Sequence, residues 1–332
     1  MSMQVLICDD SPFARKQLAR ALPPDWAVEV NFAGDGEEAL AAVREGRGEL
    51  LFLDLNMPGM DGYQVLEVIH REDLPSLVVV VSGDVQPEAR ERVMRLGALD
   101  FVRKPVTGET IAGILQRYGI RGQGEGRLQV AEVAVDLLDV YRELANVAMG
   151  QAGDLLARLL GVFVSLPVPV VNQLPHGEVT MLLENFSASE HNRVVAQGFI
   201  GSGIAGEAFL MFHPSSIGHI ARLMHWEGTE DDEGAELQTE FAGILVGAFL
   251  RGLADQLDVV FSQGRPVILN QQRDLSEKAA RNIARWDELL AIEISYRIEG
   301  EDICCDLLLF TGDSLAPLRN RAELLGGKDG SD

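Results

Sequence analysis

Short apolar runs alternate with amphipathic segments through the first 120 residues of this 332-residue chain. Runs at 5–8, 28–30, 51–53 and 77–81 read as strands, with a weaker fifth at 99–102. Between them, 13–22, 37–46, 61–71, 87–96 and 107–117 carry apolar residues at helical spacing. Strands that are apolar throughout must be covered on both faces, and the intervening helices supply the cover. The predicted fold of residues 1–120 is therefore α/β, a doubly wound parallel sheet of five strands. Ligands of such sheets meet the carboxyl ends of the strands.

Those ends carry the chemistry. Asp9 and Asp10 follow the first strand, Asp54 the third, Ser82-Gly83 the fourth and Lys104-Pro105 the fifth. In a parallel sheet they share one edge and converge. Three carboxylates beside one ammonium make an oxygen-only site suited to Mg²⁺. Asp54 is central and is placed to act as a nucleophile, forming an acyl phosphate, with a hydroxyl and a lysine left to hold the phosphoryl oxygens.

On these residues the first part resembles the CheY-like receiver domain of two-component response regulators. The matching stretches are Ile7-Cys8-Asp9-Asp10-Ser11, the run from Asp54 through Met57-Pro58-Gly59 to Asp61-Gly62, Val81-Ser82-Gly83 and Lys104-Pro105. The resemblance implies that Asp54 is the phosphorylation site. It implies that Asp10, Asp54 and the Asn56 carbonyl ligate Mg²⁺, with Asp9 assisting through water. Ser82 and Lys104 would contact the phosphoryl group, Phe101 would be the aromatic switch residue, and the Lys104-Pro105 bond would be cis.

Composition excludes several classes. Hydrophobic residues are 47% and charged residues 24%, the mix of a folded chain. With 28 Lys+Arg against 51 Asp+Glu the net charge is −23, of which −7 falls in residues 1–120 and −16 in the rest. No basic surface is available for a phosphate backbone, so neither nucleic acid nor a DNA-binding output is expected. No apolar run is long enough to span a membrane, and nothing at Met1–Gln4 reads as a signal peptide. Three cysteines, two of them adjacent (Cys304-Cys305), make no disulfide framework. A cytoplasmic protein without membrane insertion is the expectation.

Four glycines in 119–126 mark a linker over 121–127. Beyond it, helical stretches near 129–161, 214–225 and 236–257 alternate with strand-like runs near 162–172, 178–186, 192–200, 207–212, 258–269, 290–298 and 303–310. This part reads as α+β over 128–320, with an acidic tail at 321–332. An internal repeat runs through it. With Glu143 set on Glu240, Gly150 falls on Gly247, Ala157 on Ala254, Leu160 on Leu257, Val162 on Val259 and Pro169-Val170 on Pro266-Val267. At an offset one residue larger, Phe212 falls on Phe310 and Ser216 on Ser314. The shared register predicts a duplicated αβ unit with pseudo-twofold symmetry.

Within the first copy, Glu143 and Asn146 lie one turn apart on one helix face, with Asp139 four residues earlier. The pattern D-x-x-x-E-x-x-N, followed after 22 residues by Pro169, resembles the consensus of CheC/CheX-type chemotaxis phosphatases. The resemblance implies hydrolysis of the aspartyl phosphate of a receiver. Asn146 would orient the attacking water and Glu143 would bind the receiver lysine. In the second copy Gly243 replaces the Asn and Glu236 the Asp, so one functional site per chain is expected, at Asp139, Glu143 and Asn146.

The implied partners are a phosphorylated CheY-like receiver, a CheA-type histidine kinase and a chemoreceptor deamidase, with a homodimer left open. The expected function is a response regulator whose phosphatase output is controlled by phosphorylation of Asp54. The alternatives are a noncatalytic receiver-binding module and a phosphate sink acting on its own receiver. The glycine run 201–206 matches a dinucleotide fingerprint, but strand-like sequence follows it, so a turn between strands is expected. The six histidines show no metal spacing.

Overall fold

The computed structural model describes residues 2–120, 129–130, 134–175, 178, 193–226, 233–269, 288–298, 303–312 and 315–326. The chain divides into two compact units, Met1–Glu143 and Leu144–Asp332.

The first unit is the expected five-stranded parallel α/β fold. Its strands are β1 (Met3–Cys8), β2 (Val28–Ala33), β3 (Leu50–Leu53), β4 (Leu77–Ser82) and β5 (Asp100–Arg103). Its helices are α1 (Pro12–Ala21), α2 (Gly36–Arg44), α3 (Gly62–Glu72), α4 (Pro87–Arg95) and α5 (Gly108–Arg117). Alternate residues of each strand enter opposite faces. Leu6, Leu51, Leu53, Val78 and Val80 pack with Leu40, Val65, Leu66 and Val93 from α2, α3 and α4. Val5, Ile7, Leu50, Phe52 and Val79 pack with Leu18, Ile111 and Ile114 from α1 and α5. Side chains define where the helices start: Ser11, Asp35, Asp61 and Thr107 each accept a backbone N–H of the first turn of α1, α2, α3 and α5.

A sixth strand, β6 (Gln129–Val130), pairs parallel with β2, giving the order β5-β4-β3-β1-β2-β6. This corrects the sequence expectation that the helix after the linker begins near 129. Helix α6 instead spans Leu137–Leu160 and starts at a reciprocal cap. Asp136 Oδ1 accepts the Asp139 N–H at 2.8 Å, and Asp139 Oδ2 accepts the Asp136 N–H at 3.0 Å. The division into units also falls inside α6, not in the expected linker at 121–127, which lies outside the described residues.

The second unit combines helices with one antiparallel sheet. Its strands are β7 (Val164–Ser165), β8 (Val170–Pro175), β9 (Arg193–Gly201), β10 (Ile204–Phe212), β11 (Ser262–Gln263), β12 (Val267–Leu269), β13 (Glu288–Ile298) and β14 (Cys304–Gly312). The sheet order is β11-β9-β10-β14-β13-β7, with β12 also on β9 and β8 also on β13. Helices α7 (Pro214–Leu223), α8 (Glu233–Leu257) and α9 (Leu315–Gly326) complete it. Helix α9 runs to Gly326, so residues 321–326 are helical and not tail, and 327–332 lie outside the described residues. The strand-like run over 179–186 also lies outside them.

The glycine run is a hairpin turn. β9 ends at Gly201, β10 begins at Ile204, and Ser202 and Gly203 between them have φ of 53° and 81°. Two successive positive φ values are those of a two-residue turn that matches strand twist, which accounts for the glycine without any nucleotide. Helices α6 and α8 approach closely, since a Cβ on Gly252 would lie 2.8 Å from Ala148 Cα.

On β13, burial and then the charge of Asp306 push the Glu293 carboxyl up from its ordinary value. A raised carboxylate pKa in the folded state means that ionisation there opposes folding at neutral pH, a penalty that vanishes as pH falls below the unfolded value. Glu293→Gln should therefore raise Tm at pH 7 by about one to two degrees, and leave it unchanged near pH 4. Paired thermal melts at the two pH values check this.

Candidate functional site

The sheet of the first unit brings its chemistry to one edge. β1 leads into Asp9 and Asp10, β3 into Asp54, and β5 into Lys104, while Ser82 closes β4. The backbone ties the pieces together: the Asp54 N–H donates to the Cys8 carbonyl at 2.9 Å, and the Lys104 N–H to the Ser82 carbonyl at 2.9 Å. Asp9 is further oriented by the Ser11 N–H, which donates to its Oδ1 at 2.9 Å, and Asp54 by the Asn56 N–H, which donates to Oδ2 at 2.9 Å. Ser11 thus has two tasks, fixing Asp9 with its N–H and capping α1 with its hydroxyl. The Lys104-Pro105 bond is cis.

Lys104 is the centre of charge. Its Nζ lies 2.7 Å from Asp9 Oδ2, 3.1 Å from Asp54 Oδ1 and 3.4 Å from Glu143 Oε1. Asp54 is 1% exposed, Lys104 7% and Glu143 5%. All four groups belong to the first unit, which ends at Glu143. Burial alone would lower the Lys104 pKa, but Asp54, Asp9 and Glu143 together raise it well above its ordinary value, so the ammonium is kept. Burial pushes the Asp54 and Glu143 carboxyls up, and Lys104 opposes the shift in both. Burial, then the charges of Asp9 and Asp54, push Asp10 up to about 7.

Carboxylate oxygens of Asp9, Asp10 and Asp54 all lie within 4.8 Å of one another, and these three form the one such cluster among the described residues. Hard oxygen donors crowded at this spacing fit a small divalent cation, whose charge would offset the negative charge they gather. Ser82 is fully buried and its Oγ accepts the Asp84 N–H at 3.1 Å. Phe101 is partly buried against the core face formed by α2, α3 and α4.

On α6, Asn146 follows Glu143 by one turn and is 7% exposed, and its Oδ1 has no hydrogen-bond partner among the described residues. Asp139 is buried too, but its carboxylate is engaged in the reciprocal cap with Asp136 and pairs with Arg142 at 3.4 Å. Asp136 was not among the residues singled out in the sequence, although D-x-x-D before an apolar run is the pattern of such a cap. The corresponding residues of α8 differ. Glu236 and Glu240 are exposed, and a Cβ on Gly243 would meet Pro266 Cγ at 3.5 Å, an ordinary contact. Nothing there demands a glycine for close helix packing.

Elsewhere, a cavity of about 670 Å³ in the second unit, bordered by Gln151, Leu155, Gly247, Arg251 and Val260, contains none of these residues. His176 and His191 lie outside the described residues. No helix among the described residues is long and apolar enough to cross a membrane.

Comparison with known proteins places the edge chemistry in a family. The response regulator receiver domain matches residues 5–116. A protein-glutamate methylesterase/protein-glutamine glutaminase of Geobacter sulfurreducens is 31% identical over 150 residues, 45% of this chain and 40% of its own. The chain spans about two fifths of the length of the methylesterase relatives it matches first. The probable transcriptional regulatory protein NarL of Mycobacterium tuberculosis is 31% identical over 173 residues, 48% of this chain and 80% of its own. Among solved structures, Thermotoga maritima FliY aligns with 59% of this chain and 98% of its own at 18% identity and a TM-score of 0.42. The chain belongs to the response regulators, and its first unit carries their receiver domain.

Proposed function

We propose that this protein is a chemotaxis-type response regulator that accepts a phosphoryl group on Asp54 and carries, on helix α6, a CheC/CheX-like machinery that hydrolyses receiver aspartyl phosphate. The observation that carries the reading is Glu143 Oε1 at 3.4 Å from Lys104 Nζ, with Asn146 one turn further along the same helix. A carboxylate on the receiver lysine docks the helix, and an amide that both donates and accepts orients a water for attack on phosphorus. The two residues are held buried, whereas their counterparts on α8 are an exposed Glu240 and a glycine, which supports one working site per chain.

The element order of the second unit adds support for a duplicated CheC-like fold. A long helix, two short strands, a long hairpin and a helix occur as α6, β7, β8, β9, β10 and α7, and again as α8, β11, β12, β13, β14 and α9. β10 and β14, the second hairpin strands of each copy, pair at the centre of the sheet, and the short strands of each copy pair with the hairpin of the other.

Asp9, Asp10 and Asp54 would hold Mg²⁺, together with the Asn56 carbonyl. Bound there, the ion would neutralise charge on the phosphoryl oxygens. Lys104 and the Ser82 hydroxyl would hold those oxygens, and Phe101 would report the change to the α4–β5 surface. A CheA-type kinase would be the phosphoryl source.

The test uses radiolabelled acetyl phosphate as donor. Wild type should take up label, Asp54→Ala should take up none, and EDTA should prevent uptake. Once the donor is removed, phosphate release from the protein's own Asp54, or from an added phosphorylated receiver, should be faster with wild type than with Asn146→Ala by about tenfold to a hundredfold on at least one of the two. Equal release with both would sink the phosphatase reading and leave a receiver-binding module.

A further inference from the structure

We infer that the phosphoryl group removed by Glu143 and Asn146 is the one on Asp54 of the same chain, so that this regulator times its own signal. This rests on the phosphatase reading above and names its substrate. A docking carboxylate must find the lysine of a receiver, and here Glu143 has already found one. Its carboxylate lies 3.4 Å from Lys104, whose ammonium also touches Asp54 at 3.1 Å. The side chains of Lys104 and Glu143 are 3% and 6% exposed. A carboxylate this enclosed cannot reach the lysine of another receiver without first leaving Lys104, and separating a buried pair is costly. Glu143 and the phosphoryl acceptor are also tethered by one chain, which gives the intramolecular encounter a high effective concentration. Asn146 lies three residues beyond Glu143 on the same helix.

In the step, a water oxygen attacks the phosphorus and the bond between phosphorus and the Asp54 carboxyl oxygen breaks. The bonding pair stays on that oxygen, restoring the carboxylate. Both protons of the water leave with the phosphate as dihydrogen phosphate. Lys104, freed from the phosphoryl oxygens, returns to Asp9 and Asp54.

The experiment follows loss of label from full-length protein phosphorylated with acetyl phosphate in Mg²⁺ and then freed of donor. Wild type should lose label with a first-order rate that does not change with protein concentration. Asn146→Ala should keep its label about tenfold to a hundredfold longer. Unlabelled Asp54→Ala chains, which retain Glu143 and Asn146, should not speed loss from labelled Asn146→Ala chains. A rate that rises with concentration, or rescue by the Asp54→Ala chains, would assign the reaction to a second molecule and overturn the inference. If Asp54→Ala chains dephosphorylate a separate CheY-like receiver while wild type keeps its own label as long as Asn146→Ala does, the phosphatase reading stands and the inference falls. If Asn146→Ala changes nothing on either substrate and Glu143→Gln only speeds uptake of label, the pair masks Asp54, and both fall.

Discussion

Gly62→Ala should destabilise the first unit by about 3 kcal/mol, more than a surface helix position would ordinarily allow. Gly62 is the first residue of α3, and its N–H donates to the Leu55 carbonyl at 3.0 Å. A Cβ there would lie 2.2 Å from the Asp54 carbonyl oxygen, 2.9 Å from Leu55 Cα and 3.1 Å from the Asp54 carbonyl carbon. All three are backbone atoms, so no side chain can rotate aside, and relief requires α3 to move away from the loop that follows β3. That loop carries Asp54, so the displacement should also weaken phosphorylation. Gly113→Ala is the opposite case. Gly113 is exposed in the middle of α5 with nothing within 4 Å of a new Cβ. It should stabilise by about 0.5–1 kcal/mol, because alanine loses less backbone entropy in a helix. Urea denaturation of both variants checks the pair. Equal and small effects would mean that the β3–α3 junction is looser than the structure has it.

How far the sequence could be read depended on whether a feature was local. The ends of the strands are local: each polar residue follows its own apolar run, and the parallel topology alone brings Asp9, Asp54, Ser82 and Lys104 to one edge. The turn at Ser202-Gly203 is local too, because strand-like residues follow it directly. The start of α6 is not legible in the sequence, because residues 129–135, with Val130, Val133 and Val135 set among Gln129, Ala131, Glu132 and Ala134, satisfy a helical pattern as well as an extended one. What decides is Asp136, whose carboxylate caps the helix and leaves β6 to pair with β2. The charges alone do not announce the Lys104–Glu143 pair, and the resemblance assigns Glu143 to a receiver lysine without saying whose. Thirty-nine positions separate the residues, and neither charge specifies its partner.

The same pair changes what the phosphatase-like pattern means. Read as D-x-x-x-E-x-x-N, three residues look equivalent, but the structure gives them different work. Asp139 holds the first turn of α6 in place through Asp136 and Arg142. Glu143 meets a cation, and Asn146 keeps a buried oxygen with no partner among the described residues. Loss of the Asp139 cap by Asp139→Ala should therefore cost stability, and any effect on hydrolysis should follow from the helix start. Loss of the Asn146 amide should spare stability and remove chemistry.

Lys104→Met should be the most damaging substitution at the site, by about 3–5 kcal/mol in the absence of Mg²⁺ at neutral pH. The ammonium faces Asp9, Asp54 and Glu143 at 2.7, 3.1 and 3.4 Å, and the first unit buries all three carboxylates. Methionine fills similar volume, so the loss is one of charge. The deficit should depend on pH in a defined direction. In the unfolded chain the three acids ionise near pH 4. In the folded variant, burial without the Lys104 ammonium pushes the Asp54 and Glu143 carboxyls up further, so folding takes up protons or sets like charges together. Below about pH 4 both states are protonated and the deficit should shrink, and above it the deficit should grow by up to about 1.4 kcal/mol per pH unit for each such group. Adding Glu143→Gln removes one of the stranded carboxylates, so the double variant should be more stable than Lys104→Met alone, a coupling of the kind expected for direct contact. Urea titrations in EDTA at pH 4.5 and 7.5 measure all of this. A deficit independent of pH, with no recovery from Glu143→Gln, would show that Lys104 contributes packing and that Glu143 does not pair with it in solution. That result would remove the geometric basis for hydrolysis within one chain.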